Sequence, residues 1–175
     1  MISTIEYLMA AGTLAGHVVM AISILFLVCY RAKAHRFIAK YVTPHNYVLI
    51  FLSTLGAMLG SLFFSEVAKI PPCDLCWYQR IFMYPQPFML YIAMIRKERI
   101  TPYLLFMNIA GLAIAAYQYL LQLFPGVIPA PCKPGDISCT AGYTFYFGYI
   151  TIPLMSLTVF LFNILLLTIY SRKNT

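Results

Sequence analysis

Five apolar runs set the terms on which this chain folds, each long enough to cross a hydrocarbon core of about 30 Å as a helix of about 20 residues. They occupy residues 7–30, 47–65, 77–95, 102–124 and 144–170. Runs this long without alternation read as helices, because barrel strands alternate over about ten residues. Proline and glycine punctuate them: Pro125 and Gly126 stop the fourth run, Pro85 and Pro87 bend the third, and Pro153 is expected to kink the fifth. Composition agrees, since 62% of the 175 residues are hydrophobic and 10% charged, against about 25% charged in an ordinary soluble domain. The chain has too little polar surface to cover itself in water. The expected fold class is all-α, a polytopic membrane protein.

A net charge of +7 raises the question of nucleic acid, but the basic residues lie in short clusters between apolar runs, with no interleaved basic and aromatic stripe. The charge reads as topology instead. Arg31, Lys33, Arg36 and Lys40 follow the first run, Arg96, Lys97 and Arg99 follow the third, and Arg172 and Lys173 follow the fifth, so nine of the twelve Lys and Arg residues share one side. Positive loops stay cytoplasmic, which places the N-terminus outside, the C-terminus inside, and the segments holding Cys73, Cys76, Cys132 and Cys139 outside. The first run is expected to be a retained helix and not a cleaved signal peptide. Residues 1–6 carry no positive charge, and the run exceeds the length of a signal's apolar region.

Four of the five cysteines fall in two outward segments, Cys73 with Cys76 and Cys132 with Cys139; Cys29 stands apart near the inner end of the first run. The first pair sits where the third span begins, behind Pro71 and Pro72. Residues three apart on a helix have Cβ atoms about 5 to 6 Å apart, and a helix N-terminus favours the thiolate that exchange chemistry needs. The pair is suited to cycle between disulfide and dithiol. The second pair lies in Pro131-Cys132-Lys133-Pro134-Gly135-Asp136-Ile137-Ser138-Cys139, where closing a short ring is entropically easy and an exposed disulfide tends to be labile. A structural staple is the plainer alternative for that pair in an oxidising compartment. A zinc site is disfavoured, because the second spacing is wider than metal-binding pairs use.

Arg80 is the single cation inside the third run, four residues beyond Cys76 and seven beyond Cys73, on the same helical face. Two readings stand side by side: snorkelling to the outer interface, or hydrogen-bond donation to a polar ligand head held at the membrane surface. Gly12 with Gly16, and Gly56 with Gly60, are spaced for close helix packing. His17 reads as a packing histidine satisfied by a neighbouring helix, Glu66 as a headgroup or Lys69 partner, and Trp77, Tyr143, Tyr146 and Tyr149 as an aromatic belt.

Phe64-Ser65-Glu66, Pro72-Cys73-Asp74-Leu75-Cys76-Trp77-Tyr78-Gln79-Arg80 and Gly148-Tyr149-Ile150-Thr151-Ile152-Pro153, with the loop pair, closely resemble the DsbB family of membrane thiol-disulfide oxidoreductases, in particular its BdbC branch from Gram-positive bacteria. The resemblance covers about residues 47–171. It implies a four-helix redox bundle over 47–175, preceded by an N-terminal transmembrane helix and basic loop over 1–46 about which it says nothing. It also implies a multi-pass protein of the bacterial cell membrane. By the same resemblance, Cys73 and Cys76 are the pair next to a quinone, ubiquinone or menaquinone, with Cys76 engaging it and Arg80 positioning it. Cys132 and Cys139 then face a thioredoxin-fold extracytoplasmic thiol oxidase of the DsbA type. The partner attacks Cys132, Cys139 exchanges with Cys73, and electrons leave through Cys76. A vitamin K epoxide reductase-like enzyme fits less well, because there the CxxC follows the loop pair. A non-catalytic scaffold with structural disulfides leaves Arg80 without a purpose.

Overall fold

The computed structural model describes residues 2–29, 45–125, 127 and 146–173. Its helices are α1 (Ile2–Cys29), α2 (Asn46–Leu62), α3 (Asp74–Met83), α4 (Pro85–Arg96), α5 (Thr101–Leu123) and α6 (Ile152–Lys173), and α2 runs on into a π-helical turn, Phe63–Val67. The protein is an all-α, multi-pass membrane protein. Among the described residues, four segments are each long and apolar enough to cross a bilayer: Thr4–Ile22, Asn46–Val67, Thr101–Leu123 and Ile152–Ile169. The expected third span is divided between α3 and α4. Tyr84 joins them with helical angles (φ −67°, ψ −34°), so the chain never leaves the helical path. What fails is the hydrogen-bond ladder, since Pro85 and Pro87 have no N–H to donate. The Gln86 side chain turns back to donate to the carbonyl of Phe82, 2.8 Å away.

The fifth span differs from expectation at its start. Residues 146–150 fold into a tight turn in which Tyr146 and Ile150 exchange backbone hydrogen bonds at 2.9 Å each. Phe147 and Gly148 there take φ of 50° and 81°, a region a helix cannot use. Helix α6 therefore opens at Ile152. Pro153 sits in its first turn, where no N–H is needed, and it is no kink.

Helices α2 to α6 form the bundle. Ile50, Leu90, Leu104 and Leu167, one from each of α2, α4, α5 and α6, are fully buried together. Farther along, Met83, Ala115 and Phe160 join α3, α5 and α6, and Cys73, Leu75 and Leu121 pack where α3 begins and α5 ends. Helices α5 and α6 pack together at Gly111, where the Phe160 ring fills the space a Cβ would take.

A chain of buried polar side chains ties the same four helices. Ser53 on α2 donates to Asn163 Oδ1 on α6 (2.6 Å), Asn163 Nδ2 donates to Asn108 Oδ1 on α5 (3.2 Å), and Asn108 Nδ2 donates to Gln86 Oε1 on α4 (2.9 Å). Asn108, Asn163 and Gln86 are wholly buried. In surroundings without water each of these groups needs its partner.

Helix α1 lies against α6 and the turn before it. Tyr146 donates its hydroxyl to Glu6 Oε2 at 2.7 Å, and Tyr7 meets the Tyr146 and Phe147 rings edge-on. His17 bridges to α6 through Nε2 and Thr158 Oγ1 (2.7 Å). Because Thr158 already donates its hydroxyl to Leu154 O, His17 carries its proton on Nε2 and accepts from Tyr149 OH at Nδ1, 3.3 Å away. The expectation that a neighbouring helix satisfies this histidine agrees with these bonds.

Candidate functional site

Helix α3 positions the first cysteine pair. Pro71 and Pro72 deliver the chain in an extended conformation to Cys73, which is the N-cap (φ −79°, ψ 172°), and Cys76 falls in the first turn. The two Sγ atoms lie 3.0 Å apart. Cys73 is buried and Cys76 partly so. Gln118, 98% buried on α5, donates Nε2 to both sulfurs, 3.1 Å to Cys73 and 3.3 Å to Cys76. Its Oε1 is held in turn by Gln79 Nε2 at 2.6 Å. That second bond fixes which end of the amide faces the sulfurs.

These contacts divide the pair electrostatically. Both cysteines precede Trp77, the first residue of the third apolar run. The hydrogen bond from the Cys73 thiol pulls the Cys76 thiol down to about 6 against the opposing cost of its burial, with further help from the Gln118 amide and the Arg80 charge. Cys73 moves the other way: giving its proton to Cys76, then burial, then the neighbouring negative charge all push its pKa up. At neutral pH the reduced pair carries one thiolate, on Cys76, and one thiol, on Cys73.

Arg80 lines the same cleft one helical turn on. Its guanidinium is turned inward, with Nε 3.1 Å from Ser61 Oγ and Nη2 3.2 Å from the Ser61 carbonyl. It lies over the Trp77 ring at 4.9 Å and near the Tyr84 ring at 5.9 Å. Tyr84 also donates to Ser61 Oγ (3.1 Å). The side chain therefore ties α3 to the end of α2 and does not run outward along the helix as a snorkelling arginine would.

Cys73, Cys76, Arg80 and Gln118 open onto a cleft of about 70 Å³ whose far wall includes Gln122, Thr151 and Pro153. This is roughly five times the space one water needs, enough for a single flat ring. Thr151 is 99% buried, and neither its Oγ1 nor Gln122 Oε1 has a hydrogen-bond partner among the described residues. Buried polar atoms of this kind ask for a ligand or water. No group of three or more metal-ligating side chains occurs among the described residues.

Of the residues singled out from sequence, Cys73, Cys76 and Arg80 come together. Cys132 and Cys139 lie outside the described residues, and Cys29 is the last residue of α1. Sequence reasoning missed Gln118, Gln79, Ser61 and Thr151. The available signal for Gln118 was a polar residue inside an apolar helix, which is a functional suspect by default.

Comparison with known proteins gives the family. Residues 44–170 match the family described as disulfide bond formation protein DsbB. A probable disulfide formation protein C 2 of Bacillus cereus is 41% identical over 137 residues, which is 78% of this chain and 98% of that protein. The disulfide bond formation protein C of Bacillus subtilis is 44% identical over 69% of this chain and 88% of its own length. An SPbeta prophage-derived disulfide bond formation protein B, also of Bacillus subtilis, is 43% identical over 77% and 92%. No solved structure gives a significant match. With most of its length matched and identities above 40%, the chain belongs to the DsbB family and is a membrane disulfide oxidoreductase.

Proposed function

We propose that this protein reoxidises a thioredoxin-fold thiol oxidase outside the cytoplasmic membrane and passes the electrons to a membrane quinone, so sustaining disulfide formation in exported proteins. The observation that carries this reading is the Cys76 thiolate, stabilised in the wall of a cleft that also holds Arg80. The redox machinery is assigned to residues 47–175, with Cys132 and Cys139 facing the partner and residues 1–46 forming an added helix and a cytoplasmic loop.

The exchange balances as follows. The partner's two thiols become a disulfide while the Cys132–Cys139 disulfide opens. Cys139 then attacks Cys73, the Cys73–Cys76 bond breaks, and Cys76 leaves as a thiolate. Cys132 next attacks Cys139, which restores the loop disulfide and releases Cys73. The Gln118 amide aids the departure of Cys76, because its N–H group already points at both sulfurs, and a leaving thiol of low pKa departs faster.

The cleft suits a quinone head. It pairs a guanidinium on one wall with a buried, unpartnered Thr151 hydroxyl elsewhere, two donors that the carbonyl oxygens of a flat ring would accept from. A quinone held there would supply a sink for two electrons and two protons as the pair returns to its disulfide, one proton coming from the Cys73 thiol and the other from water. Arg80 presents donors in a fixed plane, and Cys73 holds the proton that Cys76 lacks.

Alkylation of free thiols in the purified, reduced protein tests the reading. Adding quinone should consume the Cys73 and Cys76 thiols, and Cys76→Ser should abolish this. Thiols that persist in wild-type protein under excess quinone would overturn it.

A further inference from the structure

Helix α1 lies outside the family match, which begins at residue 44, yet it walls a second cavity of about 340 Å³. Met9, Gly12, Gly16 and Met20 of α1 form one side, Gly56, Ala57 and Gly60 of α2 another, and Met155, Val159 and Phe162 of α6 the third. The bonds from Glu6 and His17 pin α1 to α6 and the preceding turn. Against α2, by contrast, Met9 touches Gly60, while a Cβ added at Gly12 or Gly56 would meet nothing within 4 Å. The two glycine pairs expected to pack helices thus do so at Gly16 and Gly60 and leave Gly12 and Gly56 open.

Two observations define the occupant. The groove shares Ser61, Phe64, Met83, Ile152 and Ser156 with the cysteine cleft, so a molecule with its head in the cleft extends into the groove. The hydroxyls in the lining are engaged within the protein. Thr13 donates to Met9 O, Thr158 to Leu154 O and Ser156 to Ile152 O, while Ser61 Oγ is taken by Arg80 and Tyr84. The walls offer methyl, methylene and thioether surface, and methionine adapts to an irregular apolar chain.

We propose that α1 completes, with α2 and α6, the binding groove for the polyprenyl tail of the quinone. The proposal rests on the quinone reading above and gives the added helix its role: it shields the tail on the side that α2 and α6 alone would leave open.

Thermal stabilisation of the full-length protein in detergent by added ligand gives affinity without turnover. Duroquinone, which has no tail, is compared with a quinone bearing two prenyl units, on wild type and on Gly12→Leu and Gly56→Leu, which fill the groove from different helices. Wild type should bind the prenylated quinone more tightly. Both variants should lose about ten-fold or more of that affinity, the equivalent of about two buried methylenes, and bind duroquinone as wild type does. Equal wild-type affinity for the two quinones would leave the groove to bilayer lipid and overturn the proposal. So would variants that keep the affinity for the prenylated quinone, or that lose affinity for both quinones alike. Wild-type protein stabilised by neither quinone overturns the functional reading itself, and the groove assignment with it.

Discussion

Gln118 points its Nε2 at both cysteine sulfurs of the CxxC pair, 3.1 Å from Cys73 and 3.3 Å from Cys76, from a helix whose contact with them bridges more than forty positions in sequence. Its amide is held in that orientation by Gln79. The pair's chemistry is therefore set from α5 as well as from its own helix.

Gln118→Leu should raise the Cys76 pKa. Hydrogen bonds to a charged group are worth about 1.5 to 3 kcal/mol, so the midpoint should rise from about 6 by roughly one to two pH units. The thiolate is the reactive form above the midpoint. Alkylation of Cys76 in a reduced variant lacking Cys29, Cys132 and Cys139 should thus reach half its maximal rate near pH 6 in wild type. At pH 7 it should be clearly slower in Gln118→Leu. Superimposable pH–rate profiles would show that the amide does not stabilise the thiolate.

Arg80→Lys should impair quinone use despite keeping the charge. An ammonium cannot reproduce the planar contact with both Ser61 Oγ and the Ser61 carbonyl. The apparent KM for quinone should rise about ten-fold or more, as loss of one or two charge-assisted hydrogen bonds implies. The mixed disulfide between Cys132 and the partner should still form, because that exchange needs no quinone. Steady-state kinetics and trapping of the mixed disulfide separate the two effects, and wild-type quinone kinetics would end the assignment.

Gly111→Ala should destabilise the bundle by about 1 to 3 kcal/mol, because the new methyl group enters the space of the Phe160 ring. Thermal unfolding in detergent measures this. Adding Phe160→Leu should recover part of the loss, and a double variant less stable than either single one would show that the contact is not the cause.

Sidedness is testable by labelling. Membrane-impermeant thiol reagents should reach reduced Cys132 and Cys139 in intact cells, and a reporter fused after Thr175 should be cytoplasmic. A reporter found outside would refute the topology drawn from nine of twelve basic residues.

Much of this molecule is legible in its sequence because membrane helices announce themselves by length, and because helical spacing places Cys73, Cys76 and Arg80 on one face. The division between α3 and α4 at Pro85 and Pro87 follows from missing N–H groups. The start of α6 was less legible: residues 144–151 continue the apolar run in composition, yet the left-handed angles of Phe147 and Gly148 make a turn that hydropathy does not register. The glycine pairs show the same limit, since spacing allows close approach without saying whether a neighbour arrives. Gln118 was hidden for another reason. No local pattern tells which polar residue of a distant helix lies level with a given cysteine.

The polar chain through Ser53, Asn163, Asn108 and Gln86 bears on how the bundle is assembled. Helices that enter a bilayer one at a time are free to slide along one another, because lipid tails are as apolar as their leucines. A slip of one turn displaces a helix by about 5.4 Å, which is enough to break every link it makes in this chain. The amides thus act as a depth gauge, locking the four helices at one height and thereby carrying Gln118 on α5 level with the cysteines on α3.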